Sequence, residues 1–412
     1  MQRHLKERAD LKVALVFYWF VSHGGGEQVM DVLAEMYPQA DLFCLVADPA
    51  TMTPRLRTHR LTTTFLQRVP GAVRWYRHFL PLQPFALEQL DLSGYDLVIS
   101  LESGPTKGVL THTDTCHICY CLSPMRYIWD LYPEYRRHLG RIVRPVFSVT
   151  AHYLRMWDLA SASRVDYFGA ISQTVAARVH KHYRRDASVI YPPVNVSAGY
   201  LSPELSREKE DYYLVIGRLV DYKRVDLAIS ACNQLKRRLR VIGKGDQSEK
   251  LRKLAGPNIE FLGHADDQTV RENYAHCRAL LFPGEEDFGI VPVEAQSFGR
   301  PVIAFGRGAA LETIIGFGTN NERSPATSTG LFFSEQSTDS LVDAMLRFES
   351  IEKEFSPAFI RSNAQRFDVP RFKAEMYDFI DTSLANHHLS QVSFAPSLNS
   401  DANPQLKEER RG

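Results

Sequence analysis

Pro283-Gly284-Glu285-Glu286-Asp287-Phe288-Gly289-Ile290-Val291-Pro292-Val293-Glu294-Ala295 lies between a short apolar run, Ala279–Phe282, and a helix-length stretch, Val293–Phe298. A strand that turns through glycine into a helix is half of an α/β unit. In that reading Glu286 belongs to the loop and Glu294 to the first turn of the helix, so both reach one ligand from different depths. Carboxylates accept from paired sugar or ribose hydroxyls. The amides of Phe288, Gly289, Ile290 and Val291, close to a helix start, suit hydroxyls or a phosphate. A helix cap with a surface acid is the blander account.

The same alternation extends outward in both directions. Lys12–Val16, Asp41–Leu45, Leu97–Ser100, His117–Tyr120 and Tyr167–Ile171 read as strands, with helical stretches such as Gln28–Met36 and Thr174–Tyr183 between them. Val189–Val194 (VIYPPV) then meets two prolines, which exclude a helix, and a polar segment follows over Ser202–Asp211. The pattern restarts with strands Tyr212–Ile216, Leu239–Ile242, Ile259–Leu262, Ala279–Phe282 and Pro301–Ala304. Helices Asp226–Leu235, Ser248–Leu254, Asp267–His276 and Val293–Phe298 separate them. We therefore expect two α/β domains, 1–195 and 196–370, a closing helix over 371–384 and a disordered tail over 385–412. Doubly wound sheets bind ligands beyond the carboxyl ends of their strands, so two of them imply a shared crevice.

Composition sets bounds rather than answers. The 412 residues carry a formal net charge of +1, so no global field attracts nucleic acid and any basic surface must be local. The apolar run Val13–Val21 is too short to span a bilayer, and Lys6, Arg8 and Asp10 before it, with no small-residue cleavage pattern after it, argue against a secretory signal. Six cysteines make no disulfide framework. Cys116, Cys119 and Cys121 lie in a strand-like run beside His112 and His117. Alternation puts Cys116 on the opposite face from the other two, so buried strand cysteines are expected rather than zinc.

Two further turns carry chemistry. Gly24-Gly25-Gly26-Glu27 stands between the opening strand and a helix, where glycines let backbone N–H groups approach an anion such as phosphate; a plain tight turn looks the same. Gly217-Arg218-Leu219-Val220-Asp221-Tyr222-Lys223-Arg224 follows the first strand of the second half, with Arg218 at the strand end and Lys223 opening a helix. Two fixed cations there neutralise a departing diphosphate without a metal, although a solvated basic turn has the same composition.

GGGE, GRLVDYKRVD, VIGKGD (241–246), FLG (261–263) and PGEEDFGIVPVEA together resemble the family-four retaining glycosyltransferases of the GT-B fold over residues 11–384. HICYCLSPMRYIWD (117–130), VIYPPV and TGLFF (329–333) are similar to bacterial mannosyl- and hexosyltransferases that build exopolysaccharide or O-antigen (lipopolysaccharide) units on polyprenyl diphosphate. The resemblance implies two Rossmann-like domains facing a central cleft, with no cofactor and no metal. It puts Gly25 and Gly26 at the donor diphosphate, held also by Arg218 and Lys223. Glu286 takes the donor sugar's hydroxyls with the Phe288, Gly289, Ile290 and Val291 amides around it. Glu294 takes the ribose hydroxyls, and His264 sits by the base. Retention is attributed in this family to front-face substitution, so no nucleophile is demanded. One position departs: the family carries a histidine where this chain has Leu122, and Glu102 or Arg126 are the candidates to make that contact with sugar or acceptor.

The donor expected from the mannosyltransferase-like segments is GDP-mannose, with a UDP-hexose as the alternative. The first domain should take a polyprenyl-diphosphate-linked saccharide at an anionic membrane surface. Arginines mixed with aromatics over Arg55–Arg77, and again over Arg136–Arg144, suit such a surface, as ordinary exposed helices also would. The expected location is cytoplasmic, peripheral on the inner face of the plasma membrane. A sugar-nucleotide epimerase would need an acid–base set that no motif supplies, and a non-catalytic binding module would hold donor without transferring it.

Overall fold

The computed structural model describes residues 10–22, 24–200, 210–318 and 324–394. The predicted segment 202–211 falls largely outside them, as do residues 1–9 and 395–412. The chain builds two seven-stranded sheets, every pair within them parallel.

The first sheet takes β1 (Val13–Phe20), β2 (Asp41–Ala47), β3 (Leu61–Thr63), β4 (Leu97–Glu102), β5 (Cys116–Cys121), β6 (Tyr167–Ala170) and β7 (Ala187–Val189), in the order 3-2-1-4-5-6-7. The second takes β8 (Tyr213–Ile216), β9 (Leu239–Ile242), β10 (Ile259–Gly263), β11 (Leu280–Phe282), β12 (Val302–Phe305), β13 (Gly316–Phe317) and β14 (Gly330–Phe333), in the order 10-9-8-11-12-14-13. Helices cover both faces of each sheet, so the strands are apolar on both sides. Val13, Leu15 and Phe17 belong to one core while Ala14 and Val16 belong to another, as side-chain alternation requires. Tyr213 and Val215 divide from Leu214 in the same way.

Each sheet reverses its winding beside its first strand. β1 lies between β2 and β4, and β8 between β9 and β11. Loops leaving the carboxyl ends at such a switch point diverge and leave a crevice. The turns after β1, β8 and β11 carry Gly24–Gly26, Gly217–Lys223 and Pro283–Gly289, so both switch points carry the motifs singled out in the sequence.

The backbone crosses between the domains twice. Val194 N donates to Phe367 O (2.8 Å) and pairs with Asp368 in an isolated bridge, tying the two crossings together. The final helix, Val369–Phe394, then packs on the first domain: Phe372, Met376 and Ile380 are buried in its core, and Tyr377 Oη donates to Met36 O (3.0 Å). The helix thus runs beyond the expected 371–384, and residues 385–394 are helical rather than part of a disordered tail. His387, 8% exposed, lies 3.8 Å from Asp166 and helps seat that last stretch. Other bounds moved by a residue or several: β1 continues to Phe20 because Phe17 and Phe20 fill the core.

Cys116, Cys119 and Cys121 are fully buried along β5. His117 is buried with them, its Nε2 2.9 Å from Ser100 Oγ, and burial holds its imidazole down at about 4.

Candidate active site

The cleft is formed where two helix amino termini face each other. Helix Gly25–Met36 starts after Gly24 in extended backbone, and helix Ile290–Ser297 starts after Gly289 at φ 84°. A Cβ on Gly25 would stand 2.6 Å from Ile290 Cδ1, and one on Gly26 would stand 2.5 Å from Tyr18 Oη. The glycines therefore allow a close approach between the domains as well as to an anion. Two helix starts aimed into one space make a site with exposed N–H groups and partial positive charge on both walls.

Lys223 and Glu286 meet on the second-domain wall, Nζ to Oε1 at 2.5 Å, both side chains about five-sixths covered. Burial opposes the Lys223 charge, but the Glu286 carboxylate outweighs it and raises the ammonium's pKa. Gly217 and Gly284 are needed around this pair: a Cβ on Gly284 would come 2.8 Å from Lys223 Cα. Arg218, Lys223 and Glu286 line one open pocket with Gly217, Pro283 and Gly284. Lys223 ends a short 3-10 turn, Asp221–Lys223, and the helix starts at Val225, so Lys223 precedes the helix rather than opening it.

Arg218 is exposed and acts across the cleft. Burial raises the Glu27 carboxyl's pKa, against smaller opposing pulls from the Ser22 hydroxyl and Arg218. Tyr18 is held protonated by burial and by Glu27, again with Arg218 pulling the other way. Arg218, Lys223 and Glu286 thus share one pocket, and the Arg218 charge reaches Glu27 beside the glycine turn. Tyr18 was absent from the sequence reading, and Glu27, quoted there in GGGE, received no role. Both border Gly24 or Gly26, which was the available signal.

Glu294 is the fifth residue of its helix rather than in the first turn. Burial raises its pKa, while the Tyr274 hydroxyl, donating at 2.8 Å, partly offsets this. His264 is exposed immediately after β10. Phe288 turns its ring away from a ligand role: it is buried at the domain boundary, 5.5 Å from Phe367 and 6.0 Å from Tyr191 between ring centroids. Ile290 packs on the first domain's core and Val291 on the second's.

Leu122 lies where Gly26 turns, 3.2 Å from the place a Gly26 Cβ would occupy, so this corner of the cleft is apolar. Glu102 does not take over there. Its carboxylate is fully enclosed, accepting from Thr106 Oγ1 (2.7 Å) and Lys107 N (3.0 Å), with Lys107 Nζ at 3.4 Å. Expecting it to touch sugar or acceptor was wrong, because β4 runs on to residue 102 and carries the side chain into the interior. Arg126 instead reaches the other domain, Nη1 3.5 Å from Asp287 Oδ2, with its guanidinium 5.5 Å from the Tyr222 ring centre. Arg178 also pairs with Asp287 and with Asp130, and Glu312 caps the amino terminus of helix Gln173–Tyr183 from the opposite domain. The bridges between the domains have no sequence signature, since Arg126 and Arg178 stand more than 100 residues from Asp287, and Glu312 as far from Gln173.

Among the described residues two groups have metal-ligating side chains close together: Cys116 with Asp166 and His387, and Glu134 with His138 and Asp221. Neither contains a residue of the pocket.

Comparison with known proteins bears on this geometry. Residues 201–366 match the family model "Glycosyl transferases group 1". Alpha-1,3/1,6-mannosyltransferase ALG2 of Candida glabrata is 21% identical over 303 residues, 61% of this chain and 65% of that protein. The ALG2 of Kluyveromyces lactis is 24% identical over 240 residues, 45% of this chain and 46% of that protein. O-antigen chain mannosyltransferase RfbU of Salmonella typhimurium is 28% identical over 163 residues, 37% and 45%. In each case the match spans less than two thirds of the relative's length. HepE of Anabaena, solved in complex with UDP, superposes with a TM-score of 0.65 at 17% identity, covering 90% of this chain and 100% of that one. The chain thus has the two-domain GT-B fold, and its residues 201–366 match the group 1 glycosyl transferases.

Proposed function

We propose that the chain is a retaining, metal-independent hexosyltransferase that moves mannose from GDP-mannose onto a polyprenyl-diphosphate-linked saccharide, in bacterial lipopolysaccharide or exopolysaccharide synthesis at the inner face of the plasma membrane. The observation that carries the reading is the convergence of Arg218, Lys223 and Glu286 on one pocket opposite the Gly25 turn. Arg218 and Lys223 take the negative charge that grows on the departing diphosphate. The helix starts at Gly25 and Ile290 add fixed dipoles that need no reorganisation. Glu286 orients the donor sugar, and Lys223 fixes the carboxylate that does so. As the glycosidic bond to the diphosphate breaks, the acceptor oxygen bonds to the anomeric carbon on the same face and its proton passes to the leaving diphosphate oxygen. No base from the protein enters that balance.

Mannose is favoured by the mannosyltransferases among the relatives. A UDP-hexose is the second reading, since HepE has been solved with UDP-glucose. Thermal-shift titration with GDP-mannose, UDP-glucose and other nucleotide-sugars, followed by product mass on a synthetic polyprenyl-diphosphate saccharide, tests both. GDP-mannose should raise the melting temperature and yield a product heavier by one hexose, undiminished by EDTA. Stabilisation by UDP-glucose alone selects the second reading. Failure of every nucleotide-sugar to bind overturns both.

A further inference from the structure

Glu286 and Asp287 are neighbours in the chain, yet they are anchored from opposite domains. Glu286 is held by its own: Lys223 Nζ lies 2.5 Å from its carboxylate, and Ala309 N donates to its carbonyl oxygen at 3.2 Å. Asp287 is held from the first domain at three points. Ser172 Oγ donates to its carbonyl oxygen (2.6 Å), Arg178 Nη1 donates to Oδ1, and Arg126 Nη1 stands 3.5 Å from Oδ2. The Arg178 fork divides between two acids, its Nε lying 2.8 Å from Asp130 Oδ2. Asp130 is set in turn by His182 Nε2 at 3.0 Å, and the His182 ring stacks on Trp129 at 4.6 Å.

The Arg178 and Asp287 side chains are only 12% and 17% exposed. Charges so covered are stable while they remain paired. If the domains part, Asp287 loses both arginines and water takes their place. The change then reaches Glu286 through one peptide link, because the backbone has only two soft dihedrals per residue. A clamp meant merely to join the domains needs no such position. The helix that carries Arg178, Gln173–Tyr183, is already tied at its amino end by Glu312, which accepts from Gln173 N (2.8 Å) and Thr174 N (3.0 Å).

We propose that Arg178 is a positioning residue for the donor sugar. By holding Asp287 it fixes the direction in which Glu286 presents its carboxylate, so the sugar is gripped only while the first domain is seated. The inference rests on the proposed role of Glu286 and adds the condition under which that role operates. The diphosphate and ribose are assigned instead to Arg218, Lys223 and Glu294. Nucleotide alone should therefore bind whether or not Arg178 is in place.

Isothermal titration of the full chain with GDP and GDP-mannose, and with UDP and UDP-glucose, separates the sugar's share of binding from the nucleotide's. In Arg178→Ala the dissociation constant of the nucleotide-sugar should rise about tenfold relative to that of its nucleotide, the scale of one lost hydrogen bond to a charged group, while nucleotide alone stays within about twofold of the wild type. Asp287→Asn keeps the shape of the side chain and should reproduce this result. The double variant should be no worse than either single one, since both break the same contact. In the ligand-free protein, hydrogen exchange at the amides of 286–289 should be faster in both single variants than in the wild type. An unchanged ratio overturns the proposal. Equal weakening of nucleotide and nucleotide-sugar also overturns it, since Arg178 would then be a plain clamp, and so do additive losses in the double variant. If the wild type binds neither nucleotide-sugar, the proposed function fails. The exchange comparison then decides alone, and unaltered exchange removes Arg178 from the loop.

Discussion

Two lysine–carboxylate clusters stand near the carboxyl ends of strands, one in each domain, and they differ in what surrounds them. Lys107 sits between Glu102 and Asp158, all three fully buried. Burial opposes the Lys107 charge, but the two carboxylates outweigh it and raise its pKa, while burial pushes the Glu102 carboxyl up. Thr106, Trp129 and Tyr183 supply further hydrogen bonds to the acids, so the cluster is filled from within. Lys223 has one acid, Glu286, and a pocket on its other side. The same pair of groups is structural where the protein completes its bonding, and available for a ligand where it does not.

The contrast is broken most readily at Lys107. Lys107→Ala strands Glu102 and Asp158 in the interior, and breaking a buried ion pair costs about 3–5 kcal/mol. Urea denaturation should show that loss; a variant as stable as the wild type would mean the cluster is dispensable and the distinction false. Lys223→Ala should do the opposite. We expect turnover to fall about 10²–10³-fold, the scale for one preorganised charge donor, with a smaller loss of stability than Lys107→Ala, because Glu286 keeps its access to the pocket. Near wild-type turnover would remove Lys223 from the leaving-group role.

The smallest expected effect sharpens the view of the buried cluster's neighbourhood. Burial, with Lys107 nearby, holds His117 neutral down to about 4, below the ordinary imidazole value. The unfolded chain therefore takes up a proton between about pH 6.5 and 4 that the folded chain refuses, and stability falls as pH falls through that window. The loss is roughly 3 kcal/mol. Melting temperatures of the wild type and His117→Gln, measured from pH 7 to 4, should converge toward the acid end. Parallel curves would show that His117 is protonated in the folded state.

Much of the architecture is written locally. The runs that became β1, β5, β9 and β11 are apolar, short and followed by turn residues, and a parallel sheet buried on both faces admits little else. Glycine at 24–26 and at 289 marks the helix starts because only a residue without Cβ permits the approach of Ile290 or a backbone at φ 84°. Three-residue strands such as Leu61–Thr63 and Ala187–Val189 escaped notice, being polar or partly exposed edge pieces whose pairing is set by their neighbours. Helix Val143–Ala162 also escaped: Pro145 stands near its start, its inward positions include the polar Asp158 and Ser161, and apolar residues such as Val146 and Val149 face outward, so the contrast between its faces is weak.

By itself, then, the sequence determined two parallel α/β domains and the turns that carry Gly25, Arg218, Lys223 and Glu286, because strand burial, glycine geometry and charge act over a few residues. Only the tertiary structure decided that Glu102 is sealed inside, that Arg126 and Arg178 hold Asp287 across the cleft, and that residues 385–394 return as helix to the first domain. Those outcomes depend on contacts between segments far apart in the chain, whose free energies exist only once both domains are packed.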